Sequence, residues 1–175
     1  MLKNSFVITL LLICLAIFIT GCSDNSFTDS LPAKQIDLNR YLGTWHEIAR
    51  IPNWFEKDLQ KVTATYTLKD TGRIEVKNQG MLKSSNEQKT AIGEAWVDGD
   101  NKIGRLRVSF FFLVSAPYVV FELAPDYSYA LVGSGKDFLW ILSRLPQMDS
   151  ETYKYLLSKA SSAGYDVSKL EKIEQ

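Results

Sequence analysis

The segment "KVTATYTLKD" (residues 61–70) sets Val62, Ala64, Tyr66 and Leu68 on one side of an extended chain and Thr63, Thr65 and Thr67 on the other. A period of two is what a strand with one dry face and one wet face requires. Asp70-Thr71-Gly72 then turns the chain, Gly72 supplying the positive φ such a loop needs, and "RIEVKNQGML" returns as the partner strand.

The same grammar extends in both directions. "TAIGEAWVDGDNKIGRLRVSF" reads as a hairpin around Asp98-Gly99-Asp100, and "PYVVFELAPDYSYALVGSG" as another turning at Pro125-Asp126. "FLWILSRL" is a last strand before Pro146, and "TWHEIARI" precedes them all. Eight short strands with no helix between them predict an antiparallel sandwich or barrel. After Pro146 the period changes: Tyr153, Leu156, Leu157 and Ala160 form a helical stripe, with Asp149 or Ser150 placed to cap it and Gly164 to end it. "FLWILSRL" is apolar on both faces, so the helix is expected to pack on the outside of that strand.

The N-terminus is of another kind. Lys3 precedes "FVITLLLICLAIFI" (6–19), about 14 residues, which is short for a membrane helix and fits the apolar region of a signal peptide. The ending Ile19-Thr20-Gly21-Cys22 resembles the lipobox of bacterial lipoproteins. That resemblance implies cleavage before Cys22, with residues 1–21 removed and lipid attached to the cysteine. Only Cys14 and Cys22 occur, so a chain cut there has no internal disulfide and no thiolate metal cluster. Residues 22–35 are polar and aperiodic and read as the lipidated start and a flexible tether, with residues 36–175 as one folded domain. Removing Lys3 from the 20 Lys and Arg leaves 19 against 20 Asp and Glu, which is no electrostatic footprint for nucleic acid.

With "RYLGTWHEIARIP", "QKVTATY", "LWILSR" and "GYDVSKL" in this order, the chain resembles the lipocalins, and among them the bacterial outer-membrane lipoproteins. Gly43-Thr44-Trp45 matches the family's Gly-x-Trp and Arg144 its last motif, while "PDYSYALV" matches the middle motif in part, through Asp126 and Tyr129. The resemblance implies an all-β fold: an eight-stranded up-and-down antiparallel barrel with one C-terminal helix on its outer wall. Gly43, Trp45 and Arg144 then plug the closed end, an arginine over an indole face gaining roughly 0.5–2 kcal/mol.

An eight-stranded barrel is just wide enough for one small ligand. Alternation nominates Tyr66, Ile92, Trp96, Val108, Phe110, Tyr118, Val120, Phe138 and Trp140 as its lining. Trp54 and Phe55, with Phe111, Phe112 and Leu113, fall in loops at the open end, where they cover the mouth, contact membrane, or pair two chains into a homodimer. Lys57, Lys61, Lys83, Lys89 and Lys136 slightly outnumber Glu56, Asp58, Glu87 and Asp137 there. His46 is the sole histidine and has no nucleophile or metal-ligand spacing around it, so no catalytic residue, metal or cofactor is expected. By resemblance the ligand is a fatty acid or lysophospholipid, carried at the outer membrane.

Overall fold

In the computed structural model, which describes residues 26–99, 104–111 and 114–175, the alternating segments form β1 (Gly43–Arg50), β2 (Leu59–Leu68), β3 (Ile74–Leu82), β4 (Gln88–Val97), β5 (Arg105–Phe111), β6 (Val114–Leu123), β7 (Tyr129–Gly133) and β8 (Leu139–Ser143). Each pairs antiparallel with the next, and β1 pairs with both β2 (Trp45↔Ala64) and β8 (Arg50↔Trp140). The sheet therefore closes into a barrel and leaves no long edge. Gly72 (φ 78°) turns the β2–β3 hairpin as its sequence requires. Residues 100–103 of the β4–β5 turn lie outside the described residues, as do residues 1–25, with Cys22 and the signal-peptide segment among them, and Phe112 and Leu113 at the β5–β6 turn.

Two cores share the strands. Trp45, Tyr66, Ile74, Val76, Leu106, Val120, Val132 and Leu142 pack inside the barrel. Ile48, Ala49, Val119, Leu131, Leu139 and Ile141 pack outside it, against Leu156 and Ala160 of α3 (Ser150–Ser162). Here α1 is Ser26–Ser30 and α2 is Leu38–Tyr41. The two-sided hydrophobicity of "FLWILSRL" is thereby satisfied: Trp140 and Leu142 face in, Leu139 and Ile141 face the helix. Asp149 caps α3, its carboxylate accepting from the amides of Glu151 and Thr152 at 3.0 and 2.8 Å, and Gly164 (φ 92°) follows its end.

Three expectations are corrected. Residues 26–35 are not a loose tether. Phe27 meets Tyr165 edge-on at 5.0 Å, Leu31 is buried, and Arg105 donates to the carbonyls of Thr28, Asp29 and Leu31. Two apolar residues four apart are enough to dock one helical turn, a signal their polar neighbours hide. A ninth strand, β9 (Glu171–Lys172), pairs with the end of β1 (Ala49↔Lys172), where β2 diverges. The Gln175 amide bridges that seam by donating to the carbonyls of Glu47 and Val62. Finally, Phe111, expected in a loop, ends β5 and pairs with Val114 of β6.

Candidate functional site

The closed end of the barrel is built around Arg144. Its guanidinium lies 3.8 Å from the centre of the Trp45 ring and donates to four carbonyls: Thr44 (2.9 Å), Arg40 (2.8 Å), Tyr41 (3.1 Å) and Leu42 (2.9 Å). Three of these lie at the end of α2, where carbonyls have no partners within the helix and a cation is favoured. Gly43 has φ 92°, a conformation that side-chain-bearing residues rarely adopt, and a Cβ there would already be in contact with the guanidinium at 3.4 Å. The Trp45 indole N–H donates to the Tyr41 carbonyl at 2.9 Å, completing the floor.

Above the floor stand three tyrosines. The Tyr118 hydroxyl bonds to those of Tyr41 (2.7 Å) and Tyr66 (2.8 Å). Burial, the largest cause in each case, raises all three phenols well above the ordinary tyrosine pKa, so they stay protonated at physiological pH. The void that Tyr41, Tyr66, Tyr118, Val108 and Leu106 enclose is about 10 Å³. Such a space holds one water at most. The floor is therefore a packed layer, and any larger guest lies above it.

Higher up, Val108, Phe110 and Trp140 join Tyr66 and Tyr118 on the inner wall, as alternation predicts. Trp96 and Ile92 do not. On β4 the residues facing inward are Gly93 and Ala95: Ala95 belongs to the inner core, and a Cβ on Gly93 would stand 2.7 Å from the Phe110 ring. Small residues face in so that Phe110 can lie across them, and the large residues of β4 face out. Trp96 sits under the Arg73 guanidinium, 4.3 Å from its ring centre, and Ile92 is exposed. Trp96 is a wall residue of the outer face and is withdrawn from the lining.

A polar cluster near the mouth was not anticipated. A shift of register between Glu47 and Ala49 lets β1 turn Ile48 and Ala49 toward the helix while Glu47 and Arg50 pair at 2.6 Å. Glu56 comes from the β1–β2 loop. Its carboxylate accepts from the Trp140 indole (3.0 Å) and the Asn53 amide (2.5 Å), while its carbonyl accepts from Arg50 at 2.6 Å. Burial, then the nearby Glu56 charge, pushes the Glu47 carboxyl well above the usual carboxylate range, against the pull of Arg50. The signals were a glutamate two residues after Trp45 and a carboxylate within an aromatic loop. Which face each takes depends on the bulge and the loop, and neither is written in a local period.

At the rim, Trp54 is 78% and Phe55 48% exposed, with Phe111 and Val114 exposed on the β5–β6 side. Four rings lead inward from there: Trp54 to Phe55 (5.5 Å), Phe55 to Phe138 (6.0 Å) and Phe138 to Trp140 (6.1 Å). Among the described residues no group of three His, Cys, Asp or Glu is placed to hold a metal. The His46 ring meets the Gln175 side chain at 3.3 Å.

A closed antiparallel barrel, plugged at one end by an arginine over a tryptophan, ringed by aromatics at the other and carrying a helix on its wall, is a lipocalin-type barrel. The family model described as a lipocalin-like domain matches residues 36–175, and the chain belongs to that family. It is 42% identical over 143 residues to the outer membrane lipoprotein Blc of Citrobacter freundii, covering 81% of each chain. Its identity to the outer membrane lipoprotein Blc of Vibrio cholerae is 36% over 167 residues, covering 94% of this chain and 96% of that one. Among solved structures, insecticyanin from the tobacco hornworm superposes with a TM-score of 0.66 at 23% identity, covering 82% of this chain and 83% of that one, a likeness of fold.

Proposed function

We propose that the protein is a carrier of single-chain lipids, a fatty acid or a lysophospholipid, stored or transported in the cell envelope, and that Cys22 carries the lipid anchor holding it at the outer membrane. One observation carries the reading: a barrel with a sealed polar-capped floor, an inner wall of Val108, Phe110, Val120, Val132 and Trp140, and a mouth lined by Trp54, Phe55 and Phe138. An apolar chamber closed at one end selects a long apolar molecule with its polar end outward. The names of the relatives, outer membrane lipoproteins in two bacteria, support the location. Nothing about the single histidine or the buried carboxylates assembles a nucleophile with its base, which supports a carrier over an enzyme acting on lipid.

A second reading is a barrel that serves structure alone, filled by its own side chains. The small void at the floor favours it, since ligand pockets usually enclose about 300–1,000 Å³. The two part on titration of the delipidated protein with saturated fatty acids and lysophospholipids, followed by tryptophan emission from Trp140 and Trp54. A carrier binds one molecule per chain, near micromolar, because each methylene leaving water is worth roughly 0.8 kcal/mol but a micelle already supplies most of that. Affinity rises with chain length until the chamber is full, and two-chain phospholipids bind worse. The absence of saturable binding, or indifference to chain length, leaves the filled barrel as the account.

A further inference from the structure

The segment from which the chain leaves for its anchor packs on the outer wall and reaches the β7–β8 connection at the mouth. Phe27 in α1 sits beneath the Lys136 ammonium, 5.7 Å from its ring centre, and Lys136 belongs to the β7–β8 connection at the open end. Phe27 also lies 3.3 Å from where a Cβ on Gly164 would stand, at the end of α3, and it packs on Tyr165, whose hydroxyl abuts Gly133 at the top of β7. From Ser26 four peptide steps reach Cys22, at most about 14 Å of extended chain. Because residues 26–31 are fastened by the three bonds from Arg105, that reach starts from a fixed point on the barrel.

Apolar side chains project on both sides of this mouth. Trp54 and Phe55 follow β1, Phe111 ends β5 and Val114 begins β6, and the closed strand order places these two connections on opposite sides of the ring. The β1–β2 loop is not exposed for want of packing: Glu56, the residue after Phe55, is buried and tied to Arg50, Asn53 and Trp140. The loop is locked with its two aromatics turned out. Exposed lysines accompany them, Lys57 and Lys61 beside this loop and Lys136 on the neighbouring β7–β8 connection, with Asp58 and Asp137 exposed among them.

We propose that the barrel docks mouth-down on the phospholipid leaflet to which Cys22 is anchored, with Trp54, Phe55, Phe111 and Val114 entering the acyl–headgroup boundary. This rests on the reading of Cys22 as a lipid anchor. Aromatics suit that boundary, which accepts an amphipathic ring at headgroup depth, and the lysines suit its anionic lipids. The ladder from Trp54 through Phe55 and Phe138 to Trp140 then gives a lipid chain an unbroken apolar path from leaflet to chamber.

The test uses the full-length protein taken from membranes in detergent and reconstituted into vesicles of phosphatidylethanolamine and phosphatidylglycerol, with brominated or with plain acyl chains. The difference in emission between the wild type and Trp54→Phe isolates Trp54. We expect brominated chains to quench that emission at least twofold. An Ile92→Ser variant, altered on the outer wall, keeps the quenching. Phe55→Ser slows transfer of a fluorescent lysophospholipid from vesicle to barrel about tenfold or more. Equal Trp54 emission in both kinds of vesicle overturns docking. So does a mouth that pairs with a second copy, seen as a dimer in sedimentation that Phe55→Ser converts to monomer. Failure of the carrier reading shows elsewhere, as absence of lysophospholipid uptake with Trp54 still quenched.

Discussion

Arg144 shows how much one side chain holds. Its fork meets four carbonyls where α2 runs into β1, and its plane covers Trp45. Truncation to alanine leaves those carbonyls without their cation and opens the floor. Charge-assisted bonds and cation–π contacts of this kind together contribute about 2–4 kcal/mol. We expect Arg144→Ala to lower the unfolding free energy in urea by that amount, and Arg144→Lys to recover only part of it, a single ammonium being unable to span the fork. Lysophospholipid affinity, measured where the variant remains folded, should change little. A large loss of affinity at unchanged stability would place Arg144 in the ligand chamber instead. Gly43, Trp45 and Arg144 were legible in the sequence through their resemblance to the family's motifs, Gly-x-Trp at the first strand and an arginine after the last. Trp96 was misread for a local reason. Alternation separates two faces of β4 but does not say which is inside, and here the usual contrast is inverted, with Gly93 and Ala95 inward and Ile92 and Trp96 outward.

At the scale of elements, the strands and α3 follow from period and punctuation, while α1 and β9 do not. Both are too short to show a period. They exist because the barrel offers them partners: Arg105 and the Tyr165 ring for α1, the free end of β1 for β9. The contact between β7 and the segment after α3 is the tightest of these. A Cβ on Gly133 would fall 2.1 Å from the Tyr165 hydroxyl and 2.9 Å from Leu31. That hydroxyl is buried and, among the described residues, has no hydrogen-bond partner. Two outcomes are expected in denaturant melts. Gly133→Ala destabilises by about 2–3 kcal/mol as overpacking against both neighbours. Tyr165→Phe alone is neutral or stabilising by up to about 1 kcal/mol, since it removes an unpaired buried polar group. Combining the two restores part of the loss, and strict additivity would show that the hydroxyl is not what Gly133 makes room for.

For the molecule as a whole, the fold places a closed floor and an aromatic mouth at opposite ends of one barrel, with apolar side chains facing inward between them. The period-two strands made the barrel readable. The polar cluster of Glu47, Arg50 and Glu56 was hidden because a bulge and a folded-in loop, both products of tertiary structure, bring it together. The central claim is that the chamber holds one single-chain lipid, and native mass spectrometry tests it most directly. The full-length protein is isolated from membranes in mild detergent and weighed before and after organic extraction. The account predicts a mass increment of one fatty acid or lysophospholipid per chain, lost on extraction and restored one-to-one on adding the lipid back. A protein that is free of lipid from the start and takes none up afterward would contradict it.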